Sequence, residues 1–155
     1  MTTTITGATG IDNIKAATGA VLQVVNAETS TTATSTTNAF ADTGLTATIT
    51  PTSTSSKILV IASVSGIGTS AANTYCQLNL LRGASNILSF VKLAGYTVDT
   101  GRIYVGASAT STLDSPSTTN ATTYKVQFAN GAASGDVYVQ SLTTTSTITL
   151  MEIAG

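Results

Sequence analysis

The chain has 155 residues, enough for one domain with a sizeable core, and its formal net charge is only −1, from six Lys and Arg against seven Asp and Glu. Charged residues make up 8%, hydrophobic residues 42%, and Ser and Thr together about a third, so the polarity comes from hydroxyls and not from ions. This composition argues against a disordered polyelectrolyte and a clustered basic surface for nucleic acid. The lack of any histidine removes most zinc sites and the imidazole-based nucleophilic arrangements.

Residues 1–19 read as an extended arm. They are rich in Thr and Gly, and Ile5, Ile11 and Ile14 are the apolar anchors. Residues 11–17 allow one helical turn, but Gly7, Gly10 and Gly19 favour an extended course. Such an arm cannot bury itself, so Ile5, Ile11 and Ile14 are expected to lie on a neighbouring subunit or a host surface. The opening MTTTITGATG has neither a basic region nor an apolar stretch, so no secretory leader is expected. No run approaches the roughly 18 apolar residues of a membrane span.

From residue 20 the chain reads as a succession of strands. Residues 20–27 (AVLQVVNA) form the first, and the Thr-rich tract 29–38 is a loop or an edge strand. Leu45, Ala47 and Ile49 alternate with threonines, the period-2 pattern of a strand with one wet face. Residues 51–56 supply a turn, since Pro presets φ and Ser/Thr hydroxyls bond nearby backbone. The apolar run Ile58-Leu-Val-Ile-Ala is expected to be a central strand covered on both faces. Residues 65–73 read as a loop, 74–82 as a strand, and 82–86 as a hairpin turn leading into 87–93.

Residues 94–102 read as a Gly-punctuated loop holding Tyr96 and Asp99. Two short strands, 103–108 and 111–114, are expected next. In the strand 122–129, Tyr124, Val126 and Phe128 point inward and Lys125 and Gln127 outward. Residues 130–135 (NGAASG) give a hairpin signal, 137–141 pair back, and 147–153 close the sheet. Roughly eight to ten short strands with turns every 8–12 residues predict an all-β fold, a two-sheet antiparallel β-sandwich over residues 20–155 that is jelly-roll-like in topology.

The acids Asp12, Glu28, Asp42, Asp99, Asp114, Asp136 and Glu152 are spread singly. No loop collects the carboxylates a calcium site needs, and nothing marks the pair of a glycosidase. The expectation is therefore no catalytic residue, no metal and no cofactor. Cys76, the single cysteine, reads as an inert core thiol. For carbohydrate the usual platform is an exposed aromatic flanked by polar groups. Tyr96, Asp99, Arg102 and Asn130 are the candidates for a host or glycan contact, while Tyr104 and Tyr138 read as strand tyrosines at a rim.

Six blocks, GAVLQVV (19–25), DTGLTATITPTSTSSKILV (42–60), LRG (81–83), LDSP (113–116), TYKVQF (123–128) and ITLMEI (148–153), carry a resemblance. Together they resemble a small β-sandwich structural domain of tailed bacteriophages, marine and cyanobacterial phages among them, of the tail-fibre or virion-structural type. The resemblance runs from residue 19 to the C-terminus and implies a virion protein, made in the host cytoplasm and displayed as a homotrimer. Its partners would be other virion proteins of the tail or the major capsid shell, with a host surface glycan as a possible ligand; neither nucleic acid nor membrane is expected. Two other roles fit the same residues. One is a capsid decoration (cement) protein whose arm locks neighbouring capsomers, and the other is a carbohydrate-binding module.

Overall fold

The computed structural model describes residues 16–155. The expected arm anchors Ile5, Ile11 and Ile14 lie outside the described residues. Ten strands follow in order: β1 (Val21–Thr29), β2 (Ala33–Ser35), β3 (Ala41–Ile49), β4 (Lys57–Thr69), β5 (Cys76–Arg82), β6 (Ser85–Ala94), β7 (Ile103–Asp114), β8 (Thr122–Asn130), β9 (Val137–Val139) and β10 (Ser146–Ile153). A short 3-10 turn, Ser141–Thr143, separates the last two.

The strands form two antiparallel sheets, β1-β10-β4-β7 and β3-β8-β5-β6, and the short strands β2 and β9 extend the first. Pairing is nested along the chain: β1 with β10, β3 with β8, β4 with β7 and β5 with β6. That nesting is the winding of an eight-stranded jelly roll. β9 and β10 share one lane, since β9 pairs Gly68 and Thr69 of β4 and β10 pairs Lys57 to Ser63. β2 lies on β9 as β1 lies on β10.

Period-2 alternation places the core. Leu45, Ala47 and Ile49 of β3, Ile58, Val60, Ala62 and Val64 of β4, Tyr124, Val126 and Phe128 of β8, and Ile148 and Leu150 of β10 all point between the sheets. Full burial of a side chain of this size contributes about 1.5–3 kcal/mol. The sheets are also tied by polar groups. Arg82 of β5 donates through Nη1 to both carboxylate oxygens of Asp114 at the end of β7, at 2.9 and 2.8 Å, and Tyr124 Oη donates to Asp114 Oδ2 at 2.7 Å.

Four expectations are corrected. The run from Ile58 is central, but only its alternate residues are covered; Ile61 is 39% exposed, because the outer face of the first sheet carries no further layer among the described residues. β4 does not stop at Ser65 but continues to Thr69, because a bulge at Gly66 (φ +62) absorbs the irregularity that reads as a loop. Residues 103–114 form one strand, since the small residues between its halves keep pairing with β4. Residues 131–136 make no hairpin. They carry the chain from β8 in one sheet to β9 in the other, because β9 finds its partners in β4 and β2.

Candidate functional site

An exposed polar–aromatic cluster forms around Gly68. Tyr104 of β7 and Tyr138 of β9 are the residues opposite Gly68 on its two sides, so two phenol rings flank a position with no side chain. Into that setting comes Arg102, whose Nη1 donates to Tyr104 Oη and whose Nη2 donates to Tyr138 Oη, both at 3.2 Å. Its guanidinium carbon lies 4.8 Å from the Tyr138 ring centroid and 5.9 Å from that of Tyr104, within cation–π range. Tyr138 Oη donates in turn to Asp136 Oδ2 at 2.9 Å. The result is an aromatic surface, with Tyr104 51% exposed, carrying one fixed positive charge.

Of the four residues expected at a host or glycan contact, only Arg102 belongs to this cluster, where it meets the rim tyrosines Tyr104 and Tyr138. Tyr96 sits in the loop after β6, donates to Asn73 Oδ1 at 3.1 Å and packs edge-on against Tyr75 with centroids 6.2 Å apart. Asp99 is exposed, and its backbone N–H donates to Thr97 Oγ1. Asn130 has no accessible surface. Its Nδ2 donates to the carbonyls of Ser134 and Gly135 and its Oδ1 accepts from the N–H of Ala132, so it braces the inter-sheet crossover from inside. Tyr104 and Tyr138 join Arg102 because antiparallel register brings residues 34 positions apart to either side of Gly68, a relation that spacing along the chain does not display.

Beside Tyr104 lies a mostly apolar groove of about 370 Å³, walled by Gly66, Gly106 and Leu142. The backbone here is unusual, with Gln140, Leu142 and Thr143 all at positive φ. The 3-10 turn is held in place by Ser141 Oγ donating to the Gly66 carbonyl at 2.7 Å and by the Gln140 N–H donating to the Ser65 carbonyl at 2.8 Å.

At the opposite end of the sheet Glu152 is buried without a cation partner among the described residues. It accepts from Gln23 Nε2 at 2.6 Å and from the N–H and Oγ1 of Thr52, both at 2.7 Å. Desolvation pushes its carboxyl up, but the hydrogen bonds from Gln23 and Thr52 outweigh it and pull it down to about 2. The side chain has no accessible surface and lies beside a groove lined by Thr52, Ser56 and Ala154. Cys76 is fully buried, and desolvation pushes its thiol up to about 12, which leaves it without nucleophilic character.

The remaining feature is a surface. Register aligns Val24 of β1, Met151 of β10, Leu59 of β4 and Leu113 of β7 in one row across the outer face of the first sheet. Val24 is 56% and Leu113 51% exposed, and Leu22 and Ile61 extend the apolar area above and below. The signal was present in the sequence as alternate apolar residues in four separate strands, but their alignment depends on strand order.

Comparison with protein-family models finds no match, and comparison with curated proteins finds no significant similarity. Among the described residues no group of three His, Cys, Asp or Glu is placed to hold a metal ion, and no helix is long and apolar enough to cross a membrane.

Proposed function

We propose that the chain is a non-enzymatic structural protein of a tailed-phage virion, of tail-fibre or short-fibre type, which packs against its neighbours as a trimer and attaches through residues 1–19. The observation that carries this reading is the row Val24–Met151–Leu59–Leu113. A rigid sandwich with an apolar stripe on its outer sheet is suited to being covered by another protein element. The six sequence blocks that resemble phage structural domains support the virion setting. Few charges and many hydroxyls also suit a particle exposed to varied salt, because screening has little to weaken. Of the six Lys and Arg, Arg82 and Lys125 are paired with Asp114 and Asp42 and Arg102 with two tyrosines, which leaves little basic surface for phosphates.

Immunogold electron microscopy of intact particles tests the reading. Gold on the tail supports the fibre role, gold over the head supports capsid decoration instead, and unlabelled particles refute both. Light scattering should give a trimer mass, and a stable monomer at micromolar concentration would remove the trimer.

A second reading is favoured by the Arg102–Tyr104–Tyr138 cluster, namely contact with a host surface glycan. An aromatic face beside a guanidinium and the Asp136 carboxylate offers both stacking and hydrogen bonds to a pyranose. Binding on a glycan array that is lost in Tyr104→Ala would support it, and an array blank for the wild-type chain would refute it.

A further inference from the structure

We propose that the cluster around Gly68 is a seat for an acidic sugar, a uronic acid residue whose carboxylate accepts from Arg102 and from the Tyr104 hydroxyl while the adjoining sugar lies in the apolar groove beside Tyr104. The inference rests on the glycan reading above and narrows it to one class of ligand.

The direction of the hydrogen bonds is the first argument. Tyr138 Oη gives its proton to Asp136 Oδ2, at 2.9 Å, and so meets Arg102 Nη2 only as an acceptor. Tyr104 Oη also accepts from Arg102, but its own proton goes to no other group among the described residues. A guanidinium carries five N–H donors, and the two phenols take one each. The cluster therefore turns a set of donors to solvent, the Tyr104 O–H and the remaining N–H groups of the exposed Arg102. A neutral sugar hydroxyl needs acceptors as well as donors, whereas a carboxylate only accepts and fits a planar guanidinium in fork geometry.

Charge is the second argument. The ion pairs among the described residues are Arg82–Asp114 and Lys125–Asp42, and Arg102 takes part in neither. Asp136, the carboxylate it reaches through Tyr138, is half-buried and also accepts from Ser70 Oγ at 3.4 Å. Asp99, in the loop before β7, is exposed and forms no ion pair with it. The guanidinium is thus fixed by two phenols and two cation–π contacts without being neutralised. An arginine held in this way loses little further side-chain freedom when an anion arrives.

Shape is the third argument. Tyr104 belongs to both the cluster and the groove, so the two form one continuous surface. At about 370 Å³ the groove falls within the roughly 300–1,000 Å³ of small-ligand sites. The turn that walls it holds Leu142 at φ +57, a conformation a leucine rarely adopts, and leaves that side chain 72% exposed. Glycine keeps the floor between the rings low. A Cβ at Gly68 would meet the Ile103 carbonyl oxygen at 2.8 Å and stand 3.5 Å from the Tyr104 ring and 3.8 Å from that of Tyr138. The apolar groove then takes the C–H face of the second sugar, which packs on aromatic and aliphatic side chains.

The test is calorimetric titration of the full chain with tetrasaccharides of galacturonic, glucuronic and mannuronic acid. Each is run beside its carboxyl-reduced counterpart, which differs only in carrying –CH₂OH for –COO⁻. At least one acidic tetrasaccharide should bind about tenfold tighter than its reduced form, with the ratio shrinking as NaCl rises from about 50 to about 500 mM. Arg102→Met should bring that ratio to about one, and Tyr104→Phe, which keeps the ring and deletes the hydroxyl, should lower it about threefold. Thermal melts matching the wild type establish that both variants are folded. Equal binding of acidic and reduced forms, or a preference that survives Arg102→Met, overturns the proposal and leaves the glycan reading intact. No binding of any of these probes overturns the proposal, and a glycan array blank for the wild-type chain overturns the broader reading with it.

Discussion

Replacing Glu152 with Gln removes one charge from beneath the β3–β4 turn at nearly constant volume. The wild-type carboxyl titrates at about 2 instead of its ordinary 4.5. A difference of about 2.5 pH units at 1.36 kcal/mol each sets a ceiling of about 3 kcal/mol at neutral pH, and the groove beside the turn lowers the expectation to about 2 kcal/mol through solvent screening. In the variant the amide oxygen still accepts from Thr52, but an NH₂ group faces Gln23 Nε2, so a charge-assisted bond becomes a donor–donor contact. The folded value is lowered, so the stabilisation is fully present above pH 4.5 and is lost as pH falls toward 2. Urea unfolding of both proteins at pH 7 and pH 2.5 checks this. The gap between them should shrink at pH 2.5 to about a quarter of its neutral value. Equal gaps at the two pH values, or none at pH 7, would refute the reasoning.

Gly66→Ala places a Cβ 2.5 Å from the Ser141 nitrogen and 2.7 Å from its carbonyl oxygen at a φ of +62. It should cost about 3 kcal/mol and lower Tm by about 10 °C in a thermal melt. Tyr124→Phe deletes the 2.7 Å donation to the half-buried Asp114 and should cost about 2 kcal/mol in urea unfolding. Lys125→Met, which breaks the exposed pair with Asp42, should cost less than about 0.5 kcal/mol in the same assay. Cys76 should resist a thiol reagent at pH 8 in the native protein and react fully in denaturant. Rapid native labelling would contradict its place in the core.

Local alternation made most strands readable. Leu45, Ala47 and Ile49, or Tyr124, Val126 and Phe128, declare their inward face within five residues, and the structure buries each of them. What local pattern could not supply was partnership. Residues 137–139 look like the return arm of a hairpin because NGAASG precedes them, yet β9 joins the other sheet, where β2 and β4 complete its hydrogen bonds. The same limit hid the Arg102 cluster, since Gly68 lies more than 30 residues from both tyrosines. Asn130 illustrates the converse: a residue type at home in exposed turns is drawn inside when its amide can satisfy two carbonyls of the loop it starts.

The nested winding has a consequence for how the protein is made. Val21 of β1 pairs with Ile153 of β10, so β1 leaves the ribosome more than 130 residues before its partner. Until β10 has been made, β1 has no lane to join and β4 lacks one of its neighbours. Folds dominated by such distant pairings close slowly, because the entropy of the long loop must be overcome before any contact rewards it. Once β10 slots between β1 and β4, the ends of the domain are clasped together, with Gly19 donating to Ala154 and Ala154 donating to Ala20, each at 2.8 Å. Unravelling from either end must then break the clasp first. A chain assembled late and opened reluctantly is suited to a long service life without chaperones.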